Sequence, residues 1–210
     1  MADTRPILYS FRRCPYAIRA RMVLHYSNID FEHREVVLKN KPLSMLSYSP
    51  KGTVPVLVLD GGVVIEESRE IIDWSLSESD PDGWGKNLES TKNQELIEAN
   101  DTSFKYYLDR YKYFERYPNN SQTFYREKAE EFLDTLNSLL KQHAYLSSSK
   151  FSVVDVAIFP FVRQFAFVDK AWFDQTEYSY LKQWLENILE SDMFSAVMKK
   201  YKPWQDALTE

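Results

Sequence analysis

The sequence predicts a small mixed α/β domain in the order βαβ-α-ββα, followed by an all-α helical domain. Three observations predict it. Over the first 80 residues short apolar runs alternate with one clear helical period. A stretch rich in chain breakers follows, around Pro81, Gly83 and Gly85. Beyond Ser90 no strand pattern appears, and only long segments of helical period remain.

Ile7 to Phe11 reads as a short buried strand. Pro15 to Tyr26 reads as a helix, with Ile18, Met22 and the Val23-Leu24 pair on one side. Phe31 to Leu38 returns to strand, and Pro42 to Tyr48 makes a short helix or turn. Val54 to Leu59 is an apolar strand. Asp60-Gly61-Gly62 supplies the positive φ of a hairpin turn, so Val63 to Ile65 pairs back as the next strand. Ser68 to Leu76 is a helix closing over the sheet. The expected boundaries are therefore a first domain over 1–78, a linker over 79–89 and a helical domain over 90–210. Within the last, helices are expected over roughly 90–116, 121–144, 152–167, 177–190 and 193–200. Ser152 and Asp155 form a Ser-x-x-Asp capping box, with Phe151 and Val156 placed as a hydrophobic staple. The run Val156 to Val162 is apolar nearly all round, as a buried central helix must be.

Composition narrows the function. Hydrophobic residues make up 44% and charged residues 27% of the 210, enough for a folded core. The net charge of -5 argues against a general nucleic-acid binder. The local cluster Arg12, Arg13, Arg19 and Arg21 reads as a solvated helix face. One cysteine forbids an internal disulfide. The N-terminus, Met1 to Pro6, is polar and lacks a secretory pattern, and no apolar run nears the ~18 residues of a membrane span. A soluble protein of the reducing cytosol is expected, without membrane or nucleic-acid partners.

Chemistry concentrates in the first domain. Cys14 lies between a strand and a helix, at or near the N-cap, with Pro15 at the first helical position. Free N–H groups, the helix dipole, Arg12 and Arg13 all favour its thiolate. Val54-Pro55 sits where a cis bond would leave the Val54 backbone free to pair with an extended ligand, or where a trans proline merely opens a strand. Glu66-Glu67-Ser68 precedes a helix; Ser68 is either a plain N-cap or part of a carboxylate site. Lys41 is a cation in the loop after the second strand. His25, His33 and His143 have no metal-ligand spacing, so no metal is expected. The five glycines form no phosphate loop, and no Gly-x-Ser-x-Gly elbow exists.

Cys14-Pro15-Tyr16-Ala17, the Val54-Pro55 pair, Glu67-Ser68 and the Ser152/Asp155 capping box together resemble the glutathione transferase superfamily. The likeness is to its omega class and to two-domain glutaredoxins, and it covers nearly the whole chain. It implies a thioredoxin-like first domain and glutathione as co-substrate. It also implies roles: Cys14 as catalytic cysteine, Lys41 on the glycyl carboxylate, Val54 and cis-Pro55 on the cysteinyl backbone, and Glu67 and Ser68 at the γ-glutamyl end. Ala17 stands where a dithiol glutaredoxin has its second cysteine, so a dithiol mechanism is excluded. The resemblance implies a homodimeric thiol transferase or dehydroascorbate-reductase type acting on a small electrophile or disulfide. A conjugating transferase using Tyr9 or Ser10, and a non-catalytic binding scaffold, remain the alternatives. The stripe Phe104, Tyr107, Tyr111 and Phe114 faces either a substrate cleft or the bundle core.

Overall fold

The computed structural model describes residues 5–206. The first four residues of the polar N-terminus and the last four of the chain therefore lie outside the described residues. Contacts divide the chain into two units, one reaching Asp82 and resuming at Asp192, the other spanning Gly83–Ser191.

The first unit is built on a four-stranded mixed sheet. Its strands are β1 (Ile7–Ser10), β2 (Glu32–Glu35), β3 (Val56–Val58) and β4 (Val64–Ile65), in the order β2-β1-β3-β4. β1 runs parallel to β2 and antiparallel to β3, and β3 pairs antiparallel with β4. Helix α1 (Pro15–Tyr26) makes the crossover, α2 (Leu43–Tyr48) leads towards β3, and α3 (Ser68–Glu78) packs against α1. This is the expected βαβ-α-ββα order. Side chains alternate across a strand. Tyr9, Val56 and Val58 thus share one face, where they pack with Met45 of α2, Val54 and Val36. The β3–β4 turn bends at Asp60–Gly62, with Gly61 and Gly62 at φ 80° and 83°.

The strands are shorter than their apolar runs. β2 stops at Glu35 because the chain then folds back, bridging Val37 to Asn40. β3 begins at Val56, after a cis Val54–Pro55 bond.

The second unit is helical. It contains α4 (Gly85–Leu88), α5 (Thr91–Ala99), α6 (Lys105–Lys112), α7 (Gln122–Leu140), α8 (Val153–Ala166), α9 (Lys170–Gln175) and α10 (Ser179–Leu189). The expected 90–116 helix is interrupted by a wide π turn over Asn100–Phe104. Helix α8 is buried along nearly its whole length and starts at the capping box. Its Asp155 carboxylate accepts from Leu146 N–H (3.0 Å), Ser152 N–H (3.0 Å), Ser152 Oγ (3.1 Å) and Trp184 Nε1 (2.9 Å). Phe104 and Tyr111 are core residues packed on Phe132 and Phe165, whereas Phe114 is exposed.

The final segment departs from the expected 90–210 helical domain, because α11 (Asp192–Val197) and the chain after it join the sheet unit. The reason lies in hydrogen bonds. Arg21 Nε donates to the Val197 carbonyl at 2.8 Å, and the Trp204 N–H donates to the Glu35 carbonyl at 2.8 Å. The second contact covers β2, an edge strand whose unpaired backbone groups need a partner.

Candidate active site

The geometry of the first unit begins at the end of β1. The chain turns at Phe11, whose carbonyl accepts from the Cys14 N–H at 3.0 Å, and enters α1 with Cys14 as N-cap and Pro15 inside the first turn. Cys14 has extended backbone (φ -72°, ψ 125°), and its Sγ donates to the Val54 carbonyl at 3.6 Å. The thiol is half-buried. It lines a cavity of about 480 Å³ that also takes in Lys41, Val54, Pro55, Glu67 and Ser68. Six positions from four separate segments thus meet at one concave surface within one unit.

Each arrives there for a local reason. Val54 and Pro55 come from the bend before β3, and among the described residues the Val54 N–H has no backbone partner. Glu67 is the N-cap of α3, so Ser68 sits one position inside the helix instead of capping it. Ser68 is 4% exposed, and its Oγ accepts from Arg19 Nη1 at 3.3 Å. An oxygen that accepts from Arg19 keeps its own hydrogen to donate elsewhere. Lys41 lies across Gly52: a Cβ there would stand 3.5 Å from Lys41 Nζ and 3.3 Å from Leu46 Cδ2, and Gly52 has φ +63°. Only glycine takes that conformation freely.

Several residues of the site are not assigned to it by the sequence reading. Lys51 lines the cavity and forms an ion pair with Glu67, which draws its ammonium pKa upward. Glu66 lines it too, and accepts a hydrogen bond from Ser49 Oγ. Tyr16, Leu38 and Thr53 complete the wall. Glu66 and Tyr16 adjoin Glu67 and Cys14 in sequence, but nothing there separates Lys51, 16 residues from Glu67, from other surface lysines.

The arginine cluster is a solvated face only in part: Arg13 is exposed and Arg12 half-buried, but the two arginines inside α1 are not solvated. Arg19 is fully buried and Arg21 is 2% exposed. Arg21 donates from Nη1 to Ser10 Oγ (2.5 Å) and from Nη2 to the Arg12 carbonyl (2.8 Å), besides its bond to Val197. Helix α1 is buried on almost every side, so its arginines are accommodated only by being hydrogen-bonded. Burial pushes the Arg21 pKa down to about 10, against the opposing pull of Glu35 and Cys14. At neutral pH it stays cationic, and its positive charge is felt at the thiol.

The two alternative hydroxyls lie away from the cavity. Tyr9 and Ser10 are both fully buried. The Tyr9 hydroxyl donates to Ser44 Oγ at 2.9 Å and accepts from Arg34 Nη1 at 2.7 Å, while Ser10 accepts from Arg21. Neither lines the cavity. Among the described residues no group of three His, Cys, Asp or Glu side chains is arranged to hold a metal. None of the described helices is long and apolar enough to cross a membrane.

Comparison with known proteins identifies the family. Residues 8–83 match the family profile described as glutathione S-transferase, N-terminal domain, and residues 94–187 match glutathione S-transferase, C-terminal domain. Glutathione S-transferase omega-1 of Sus scrofa is 27% identical over 201 residues, covering 92% of this chain and 76% of that protein. A probable maleylacetoacetate isomerase of Caenorhabditis elegans is 38% identical over 84 residues, which is 39% of this chain and 38% of that protein. Among solved structures, a glutathione transferase family member from Pseudomonas fluorescens pf-5, with two glutathione bound, superposes with TM-score 0.78 at 16% identity, covering 93% of this chain and 92% of that one. The two units define a thioredoxin-like domain and a helical domain of the glutathione transferase kind. The chain belongs to the glutathione transferase superfamily, and omega-class proteins are among its relatives.

Proposed function

We propose that this chain is a glutathione-dependent thiol transferase in which Cys14 carries the glutathionyl group as a mixed disulfide. The observation that carries the reading is the position of Cys14. The chain's one thiol stands at the N-terminus of α1, in the same cavity as Lys41, Val54, Glu67 and Ser68. A relative in fold carries bound glutathione, which supports glutathione as the ligand.

In this reading glutathione lies extended in the cavity. Lys41 takes the glycyl carboxylate, the Val54 backbone pairs with the cysteinyl residue beside Pro55, and Glu67 and Ser68 hold the γ-glutamyl end. The N-terminal end of the α1 dipole and the Arg21 cation favour the Cys14 thiolate. That thiolate attacks the glutathionyl sulfur of a substrate disulfide. The substrate's S–S bond breaks, its thiolate leaves and takes a proton from water, and Cys14 is left bonded to glutathione. Cys14 has no second protein thiol to resolve it. A second glutathione thiolate attacks the same glutathionyl sulfur, releasing glutathione disulfide and the Cys14 thiolate. One disulfide is consumed and one is formed, so the electrons balance, and the kinetics are ping-pong.

Conjugation through Tyr9 or Ser10 is not favoured, because both hydroxyls are fully buried and neither lines the cavity. The test is mass spectrometry after treatment with glutathione disulfide. Wild type gains one glutathionyl group and Cys14→Ser gains none; thiol transfer is lost in Cys14→Ala and retained in Tyr9→Phe. An unmodified wild type, or full transfer surviving Cys14→Ala, overturns the proposal.

A further inference from the structure

The Lys51–Glu67 ion pair spans the rim of the cavity, with side chains 48% and 58% exposed. Glu66, beside it, is engaged by Ser49. Lys41 is held over Gly52, and no ion pair joins it to either glutamate among the described residues. The cavity therefore offers one matched pair of opposite charges, next to a serine hydroxyl whose hydrogen is free to donate because its oxygen already accepts from Arg19.

Such a pair discriminates by how many contacts a ligand can make. A ligand amine alone gains Glu67, and a ligand carboxylate alone gains Lys51. An end bearing both charges replaces both halves, and an exposed pair opens at little cost. We propose that Lys51 is a specificity-determining residue that, with Glu67 and Ser68, selects thiol peptides ending in a free α-amino acid group, amine and carboxylate on one carbon. The amine faces Glu67, and the carboxylate lies between Lys51 and Ser68. This rests on the glutathione reading above and adds to it a ligand group, the γ-glutamyl carboxylate, for which Lys51 is the counter-charge.

The test uses three ligands: glutathione, 4-aminobutyryl-cysteinyl-glycine, which lacks the α-carboxylate, and glutaryl-cysteinyl-glycine, which lacks the α-amine. Each is titrated by calorimetry, or by displacement where weak, against wild type, Lys51→Gln, Glu67→Gln and Ser68→Ala. Lys51→Gln weakens glutathione on the order of tenfold and changes the carboxylate-free analogue less than about twofold. Glu67→Gln mirrors this, losing affinity for glutathione and sparing the amine-free analogue. Equal loss for both ligands in Lys51→Gln, or no loss, while Ser68→Ala still weakens glutathione, overturns the role of Lys51 and leaves the glutathione reading standing. A wild type that binds no glutathione overturns both.

Discussion

Replacing Ser68 by alanine separates a ligand contact from a structural one. Ser68 lies one residue inside α3, and no side chain caps that end of the helix, so the substitution removes no cap. What it removes is the hydroxyl between Arg19 and the cavity. On the ligand side one hydrogen bond to a charged group disappears, worth on the order of 1–3 kcal/mol. That corresponds to a rise in glutathione Kd of roughly 5- to 150-fold. On the protein side the Arg19 guanidinium, fully buried, loses an acceptor 3.3 Å away, which lowers unfolding stability by about 1–3 kcal/mol. Isothermal titration at one pH gives the first quantity, and urea unfolding gives the second. Ser68→Thr keeps the hydroxyl and recovers most of both. A Ser68→Ala protein that is folded and binds glutathione within twofold of wild type refutes the argument.

Three further outcomes are expected. Gly52→Ala forces a left-handed backbone on a residue with a Cβ and presses on Leu46, costing about 1–2 kcal/mol of stability; unchanged melting contradicts this. Burial lifts the Asp155 carboxyl to about 6, above its ~3.9 in the unfolded chain, even though four donors favour the charged form. The folded chain then binds more protons between those values, so this group's contribution is complete below about pH 4 and falls by roughly 2–3 kcal/mol as pH rises through 6. The stability gap between wild type and Asp155→Asn should shrink over that window, and a flat gap in denaturant titrations from pH 4.5 to 7.5 rejects the shift. The chain is expected to form a homodimer, and a sedimentation mass near the monomer's 24.8 kDa at micromolar concentration rules that out.

What the sequence determined by itself is local. The period of Pro15 to Tyr26, the Asp60-Gly61-Gly62 turn and the Ser152/Asp155 box each act over a few residues, and each appears in the structure where its pattern places it. The N-cap position of Cys14 is equally local, because strand, turn and Pro15 specify it. The tertiary structure decided what depends on distant partners. The segment from Asp192 joins the sheet unit through Arg21 and Glu35, contacts that no helical period reports. Arg19 and Arg21 look like surface charges in a helix pattern, yet they are buried because Ser68, Ser10 and Val197 supply acceptors brought from elsewhere in the chain. Lys51 shows the same limit most plainly. Its charge is in the sequence, but its meaning lies in Glu67, 16 residues away, which only the folded chain sets against it. A side chain's type and local period are written in the residues, while its burial, partner and charge environment are properties of the packed fold.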